Sequence, residues 1–173
     1  TICDVMPLRE ENRILVRHGL ELMKQTQNVG LHALMEVNQI LPWQDGKLGA
    51  FHIGFVLGPC LNASGRLDSA QRAMELLDSK TREAAVAQAA FLKQLNDSRK
   101  EMTEEYVKIA VEMIESGPLK DDRVLVVFLP DCHESIAGII AGRIRERYYR
   151  PTFVLTRGEE GVKGSARSIE GYH

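Results

Sequence analysis

The sequence predicts an α/β chain in two lobes, a mostly helical first lobe joined by one long helix to a second lobe containing a βαβ unit. Three observations carry this. Residues 79–116 hold neither Pro nor Gly and are rich in strong helix formers. A β-branched run at 123–129 precedes a helical pattern at 133–149 and a second β-prone run at 151–156. That order implies parallel strands with a right-handed crossover. The residues ahead of 79 read mostly as helices and loops. The expected division is therefore 1–78, 79–116 and 117–173.

Bulk composition narrows the class. A length of 173 residues suffices for one ordinary domain or two small lobes, and 44% apolar with 27% charged residues is the soluble globular range. The net charge of −2 gives no global case for nucleic acid. Locally, however, seven basic residues stand against three acidic ones between Arg143 and Arg167. Such a patch attracts phosphates, or is simply a solvated surface. Cys3, Cys60 and Cys132 are widely spaced, odd in number and outside any CxxC pattern. Neither a disulfide framework nor a zinc site is expected, and a reducing, cytoplasmic compartment is. No signal peptide or membrane span is visible. The chain opens at what reads as a strand end and stops in mid-pattern, so it reads as a piece of a longer protein.

Residues 1–8 form a short β-prone run closed by Pro7. Asp4 there is either a cation ligand at a strand's carboxyl end or a turn aspartate. Residues 10–24 make an amphipathic helix on Ile14, Leu15, Leu20, Leu22 and Met23, and 29–40 make another. Residues 41–46, with Pro42 and Asp45-Gly46, read as a loop. In 51–68 an apolar segment runs into Gly58-Pro59 and then Asn62-Ala63-Ser64-Gly65-Arg66. Asn62, Ser64 and Arg66 can donate to phosphate oxygens where small neighbours let a ligand approach; the alternative is a tight turn with a surface Arg. His18, His32 and His52 have no partner carboxylates at ligand spacing and read as packing or surface residues.

In the long helix, Val86, Ala89 and Leu92, then Met102, Tyr106, Ile109 and Met113, recur at the spacing of one face. Asp78 or Ser79 caps its start and Gly117-Pro118 stops it. Ser98 and Glu101 have capping-box spacing and mark the one place where it could break. The helix at 133–149 begins at His133, where free N–H groups and the positive dipole end suit an anion. Its interior glycines, Gly138 and Gly142, cost about 1 kcal/mol each against Ala, which points to close packing or a ligand. Residues 162–169 alternate, so Lys163, Ser165, Arg167 and Ile169 share a strand face while Gly164 and Ala166 keep the other flat. That row suits a polyanion backbone, or is a basic edge strand that discourages aggregation.

Four segments in register resemble one family: TICDVMPL with Glu11-Asn12-Arg13, GPCLNASGRLD, HESIAGIIAGRIRERYYRP and KGSARSIEGYH. They resemble RecJ, the single-strand-specific 5′→3′ DNA exonucleases of the DHH phosphoesterase superfamily, over nearly the whole chain. The resemblance implies a DHH lobe carrying a pair of divalent metals, Mn²⁺ or Mg²⁺, and a DHH-associated lobe that grips single-stranded DNA. On it, Asp4 matches a metal-ligand aspartate, Asn62 and Arg66 match an NAxGR motif, and His133 falls on a histidine motif. Gly164, Ser165, Arg167 and Ser168 match a phosphate-holding GSxRS motif, with Lys163 beside it. His133 and Arg66 are the expected contacts to the scissile or adjacent phosphate. A helicase and a single-strand-binding protein are the implied partners, in DNA repair and recombination. Cys60 stands where relatives often carry Arg, and Ala166 where Gly is common. The DHH triplet is absent from these residues, so no hydrolysis is expected from them alone. Two other readings stay open: a DHH phosphoesterase for short oligonucleotides or cyclic dinucleotides, and a non-catalytic DNA-binding scaffold that kept the fold.

Overall fold

The computed structural model describes residues 1–159 and 161–172. They form two compact units, Thr1–Asp97 and Ser98–His173.

The first unit is helical. It contains α1 (Glu10–Lys24), α2 (Val29–Val37), the one-turn α3 (Pro42–Asp45), α4 (Gly58–Leu67), α5 (Gln71–Leu77) and the start of α6 (Arg82–Ser116). Asn28 caps α2 by accepting from the Leu31 N–H at 2.8 Å, and its amide nitrogen donates to the Leu77 carbonyl at 2.9 Å. The core gathers Leu34, Met35, Leu57, Cys60, Leu76, Ala89 and Leu92. Two expectations are corrected here. Residues 41–46 are not all loop, because Pro42 opens a short helix closed by left-handed Gly46. Residues 1–8 form a turn rather than a strand end. Every strand among the described residues lies in the second unit, so this β-prone run has no partner in its own unit.

The helix α6 is continuous for 35 residues, about 52 Å at 1.5 Å per residue, with no break at Ser98. Thr81, rather than Asp78 or Ser79, supplies the cap: its hydroxyl accepts from the Ala84 N–H at 3.3 Å. Lys93 and Asp97, one turn apart, pair at 2.8 Å just ahead of the suspected break. Its buried positions are Ala85, Ala89, Leu92 and Asn96 in the first unit and Thr103, Ala110 and Ile114 in the second. Ile109 and Met113, expected on the buried face, are each 37% exposed. Apolar pairs 109/110 and 113/114 stand one residue apart, so spacing alone could not choose between them.

The second unit is built on β1 (Leu125–Phe128), α7 (Glu134–Tyr148), β2 (Thr152–Gly158) and β3 (Gly161–Arg167). The sheet order is β1-β2-β3, with β1 parallel to β2 and β3 antiparallel to it. The βαβ expectation thus holds, and the helix N-terminus falls at His133 as the pattern required. Period-2 alternation puts Val127, Thr152, Val154 and Thr156 under α7, where Ile136, Ile140 and Ile144 complete the core. The opposite sheet face leaves Val126, Phe128 and Phe153 between 39% and 46% exposed.

Candidate nucleic-acid interface

In the second unit the N-terminal half of α7 and the basic face of β3 lie against each other. Glu134 and Gly138 are one helical turn apart, so both point to the same side of α7. Glu134 receives Lys163 at 2.7 Å. A Cβ built on Gly138 would fall 2.9 Å from Ser165 Oγ and 3.0 Å from Arg167 Nη2. Only glycine lets the β3 row approach the helix this closely. The cost of Gly138 in a helix interior is therefore offset by packing of the side chains that the sequence marked as phosphate-facing.

Lys163, Ser165 and Arg167 share the α7-facing side of β3, and all three remain partly or fully exposed. Arg167 donates from Nη1 to the Ala166 carbonyl at 2.7 Å and to Ser165 Oγ at 3.3 Å. A guanidinium has five N–H donors, so this pose orients it while leaving donors for a ligand. The Lys163 hydrogen bond holds the Glu134 carboxyl below its usual range, and Glu134 raises the Lys163 ammonium in turn. Both groups stay charged at neutral pH.

His133 is the N-cap of α7. Its Nδ1 accepts from the Ser135 N–H at 3.3 Å and lies 2.7 Å from Ser135 Oγ. With Nδ1 accepting, the neutral ring carries its proton on Nε2, which becomes a donor toward solvent. The cap and the remaining donor are thus two edges of one ring.

The turn leading into His133 is held from two sides. Tyr106 of α6 donates to the Asp131 carbonyl at 2.6 Å. Buried Thr156 of β2 donates its hydroxyl to the carbonyls of Pro130 and Cys132. Thr156→Val is expected to cost about 1–3 kcal/mol in stability, because it leaves the Cys132 carbonyl without that donor. Thermal unfolding of this variant beside Thr156→Ser checks it: wild-type stability for the valine variant contradicts it. Cys132 itself is buried, which pushes its thiol up to about 11, and Cys3, Cys60 and Cys132 form no disulfide among the described residues.

Other expected residues fall differently. Gly164 lies on the far side of β3, where a Cβ would meet Leu155 Cδ2 at 2.5 Å, so it serves sheet packing and not the row. Ser168 lies beyond β3 and donates to the Tyr172 carbonyl at 2.6 Å, closing a turn. Ile169 is also outside the strand.

The remaining residues belong to the first unit. Residues 58–67 are the helix α4, entered through a wide π-helical stretch, His52–Leu57, so the tight turn weighed as an alternative for Asn62–Arg66 is not what forms. Pro59 stands where the π-helical stretch passes into α4, a point at which the regular helical hydrogen-bond ladder is already interrupted. Asn62 and Arg66, four apart, share the exposed side of α4, while Ser64 is turned inward. The Ser64 expectation is corrected on this point: the residue is fully buried and its hydroxyl donates to the Leu61 carbonyl at 2.9 Å. Cys60 is fully buried in the helical core. The turn bearing Asp4 rests on the same element, with Cys3 Sγ 2.6 Å from where a Gly58 Cβ would stand. His32 stacks on Trp43 at 3.8 Å and His52 Nδ1 accepts from the Gly49 N–H at 3.1 Å, in line with packing roles.

Comparison with known proteins places this geometry. The chain is 38% identical over 178 residues to the single-stranded-DNA-specific exonuclease RecJ of Bacillus subtilis, and 36% identical over 179 residues to that of Escherichia coli. Both alignments cover 100% of this chain, and 22% and 30% of those proteins. The crystal structure of Thermus thermophilus RecJ in complex with Mg²⁺ superposes over 99% of the chain with a TM-score of 0.82 and 32% identity, covering 26% of that chain. A structure of exonuclease RecJ bound to manganese matches with a TM-score of 0.81 at 32% identity. The chain is a RecJ homologue over its full length. No protein-family model matches it. Its fold is that of the DHH family, and it spans between a fifth and a third of the curated RecJ proteins it matches.

RecJ structures hold Mg²⁺ or Mn²⁺. Among the described residues of this RecJ homologue, no three His, Cys, Asp or Glu side chains converge on a point where a metal could sit. Asp4 is 77% exposed and its carboxylate lies 3.2 Å from the Thr1 amino group. These residues alone therefore do not fit a metal pair. No helix among them is long and apolar enough to cross a membrane.

Proposed function

We propose that the protein is a metal-dependent, single-strand-specific DNA exonuclease acting 5′→3′ in cytoplasmic DNA repair and recombination, and that this chain supplies the phosphate grip rather than the hydrolytic centre. The observation that carries the reading is the approach of Ser165 and Arg167 to Gly138, on the helix that His133 caps. Two kinds of donor meet there, a guanidinium and a hydroxyl, and the His133 imidazole stands at the start of the same helix. Charge-assisted hydrogen bonds to phosphate from such groups hold a strand by its backbone without reading its bases. That is what a sequence-independent nuclease needs. His133 and Arg66 would contact the scissile or neighbouring phosphate, with Asn62 beside Arg66 on α4. The divalent metal, Mn²⁺ or Mg²⁺, would be held chiefly by residues outside this chain, with Asp4 as one ligand. A helicase and a single-strand-binding protein are the partners proposed.

The test uses the full-length protein and 5′-labelled single-stranded and duplex DNA, with Mn²⁺ or Mg²⁺ and then with excess chelator. Mononucleotide release from the single strand only, abolished by the chelator and by Asp4→Ala, is expected. Binding without cleavage contradicts the enzyme and favours a scaffold. Cleavage confined to oligonucleotides of a few residues contradicts the exonuclease and favours the short-substrate branch.

A further inference from the structure

The β3 row is not the only cationic feature beside α7. On another side of that helix, α6 and α7 enclose a groove of about 290 Å³. Arg99, Lys100 and Lys108 of α6 and Arg143 of α7 line it, against a single carboxylate, Glu104. Helix periodicity makes this lining: Lys100, Glu104 and Lys108 follow at four-residue steps, and so do Ile139 and Arg143. Neither Lys108 nor Arg143 has a salt-bridge partner among the described residues. Two unpaired cations at one cavity, on facing helices, draw an anion. The groove is not uniformly polar, because Val107 and Ile139 line it as well and pack against the core of the unit. Its occupant must therefore offer an apolar surface next to negative charge. A nucleotide in a single strand does, with a base beside its phosphates.

Position favours the same occupant. Gly138, which receives the β3 row, and Arg143 lie five residues apart on α7, about 7.5 Å along the axis. A strand held by Arg167 thus reaches the groove within a few nucleotides. We propose that the α6–α7 groove is a second nucleotide subsite for single-stranded DNA. One base rests on Val107 and Ile139, and the flanking phosphates meet Lys108 and Arg143. The proposal rests on the nucleic-acid reading above and adds to it a second point of attachment.

The test is equilibrium binding of single-stranded DNA to full-length wild type and to the double variant Lys108→Ala/Arg143→Ala, over a range of salt. Each variant is first checked for wild-type thermal unfolding. For a 20-nucleotide strand, affinity should fall by roughly tenfold or more and the salt slope by about 1.4, as for two lost phosphate contacts at ~0.7 each. A dinucleotide, held by the β3 row alone, should bind the double variant within about twofold of wild type. Unchanged affinity and slope for the long strand, with wild type binding it, overturns the groove and leaves the exonuclease reading standing. So does a loss confined to a poly-glutamate peptide, which would make the groove a protein-docking site. Failure of wild type to bind any single strand overturns the exonuclease reading and this proposal with it.

Discussion

Arg167→Ala is expected to weaken single-stranded DNA binding by roughly ten- to a hundredfold in the full-length protein. A hydrogen bond to a charged group is worth about 1.5–3 kcal/mol, and 1.4 kcal/mol is a factor of ten. The salt slope should fall by about 0.7, the share of one phosphate on a single strand. Arg167 is exposed at the end of β3 and is oriented by its bonds to the Ala166 carbonyl and Ser165 Oγ, so its loss should leave stability within about 0.5 kcal/mol. Affinity measured by fluorescence anisotropy from low to moderate salt checks this. An unchanged slope removes Arg167 from the phosphate row.

The two glycines of α7 should behave in opposite ways. At Gly142 a Cβ would meet nothing within 4 Å. Gly142→Ala should therefore raise stability by about 0.5–1 kcal/mol through helix propensity, with single-strand affinity unchanged. At Gly138 the atoms in the way are Ser165 Oγ and the Arg167 guanidinium, the ends of side chains that can swing aside. Gly138→Ala should therefore fold with near wild-type stability, yet lower affinity by roughly tenfold because the row is displaced. Denaturant unfolding and strand binding on both variants distinguish the two. Equal affinities for Gly138→Ala and wild type would show that the close approach serves packing alone.

Much of the second unit was legible in the sequence. The β-branched runs flank a helix whose start is marked by His133, and alternation from Val162 onward put Lys163, Ser165 and Arg167 on one face, as β3 has them. What the sequence could not provide was the partner for that face, since only the fold brings Gly138 to it. The first unit was harder. Gly58, Pro59, Asn62, Ser64 and Gly65 are all turn formers, yet they form α4 because it continues the helical run from His52 and buries Cys60, Ala63 and Ser64. The four-residue step from Asn62 to Arg66 was the available signal, and with Ser64 assigned to the other side of the helix it would have placed that hydroxyl inside. The run at 1–8 had strand-like composition without a neighbouring strand, which composition does not reveal. The α6–α7 groove was missed because Lys108 and Arg143 are far apart in sequence and each, taken alone, is an ordinary surface cation.

The central claim is that Gly138 exists to admit the Arg167 row, and a double-mutant cycle tests it most directly. Single-strand affinity would be measured for wild type, Gly138→Ala, Arg167→Ala and the combination. If the Cβ acts by displacing Arg167, the double variant binds about as weakly as Arg167→Ala alone, leaving a coupling close to the whole Gly138→Ala effect. Losses that simply add would contradict the account and separate Gly138 from the phosphate grip.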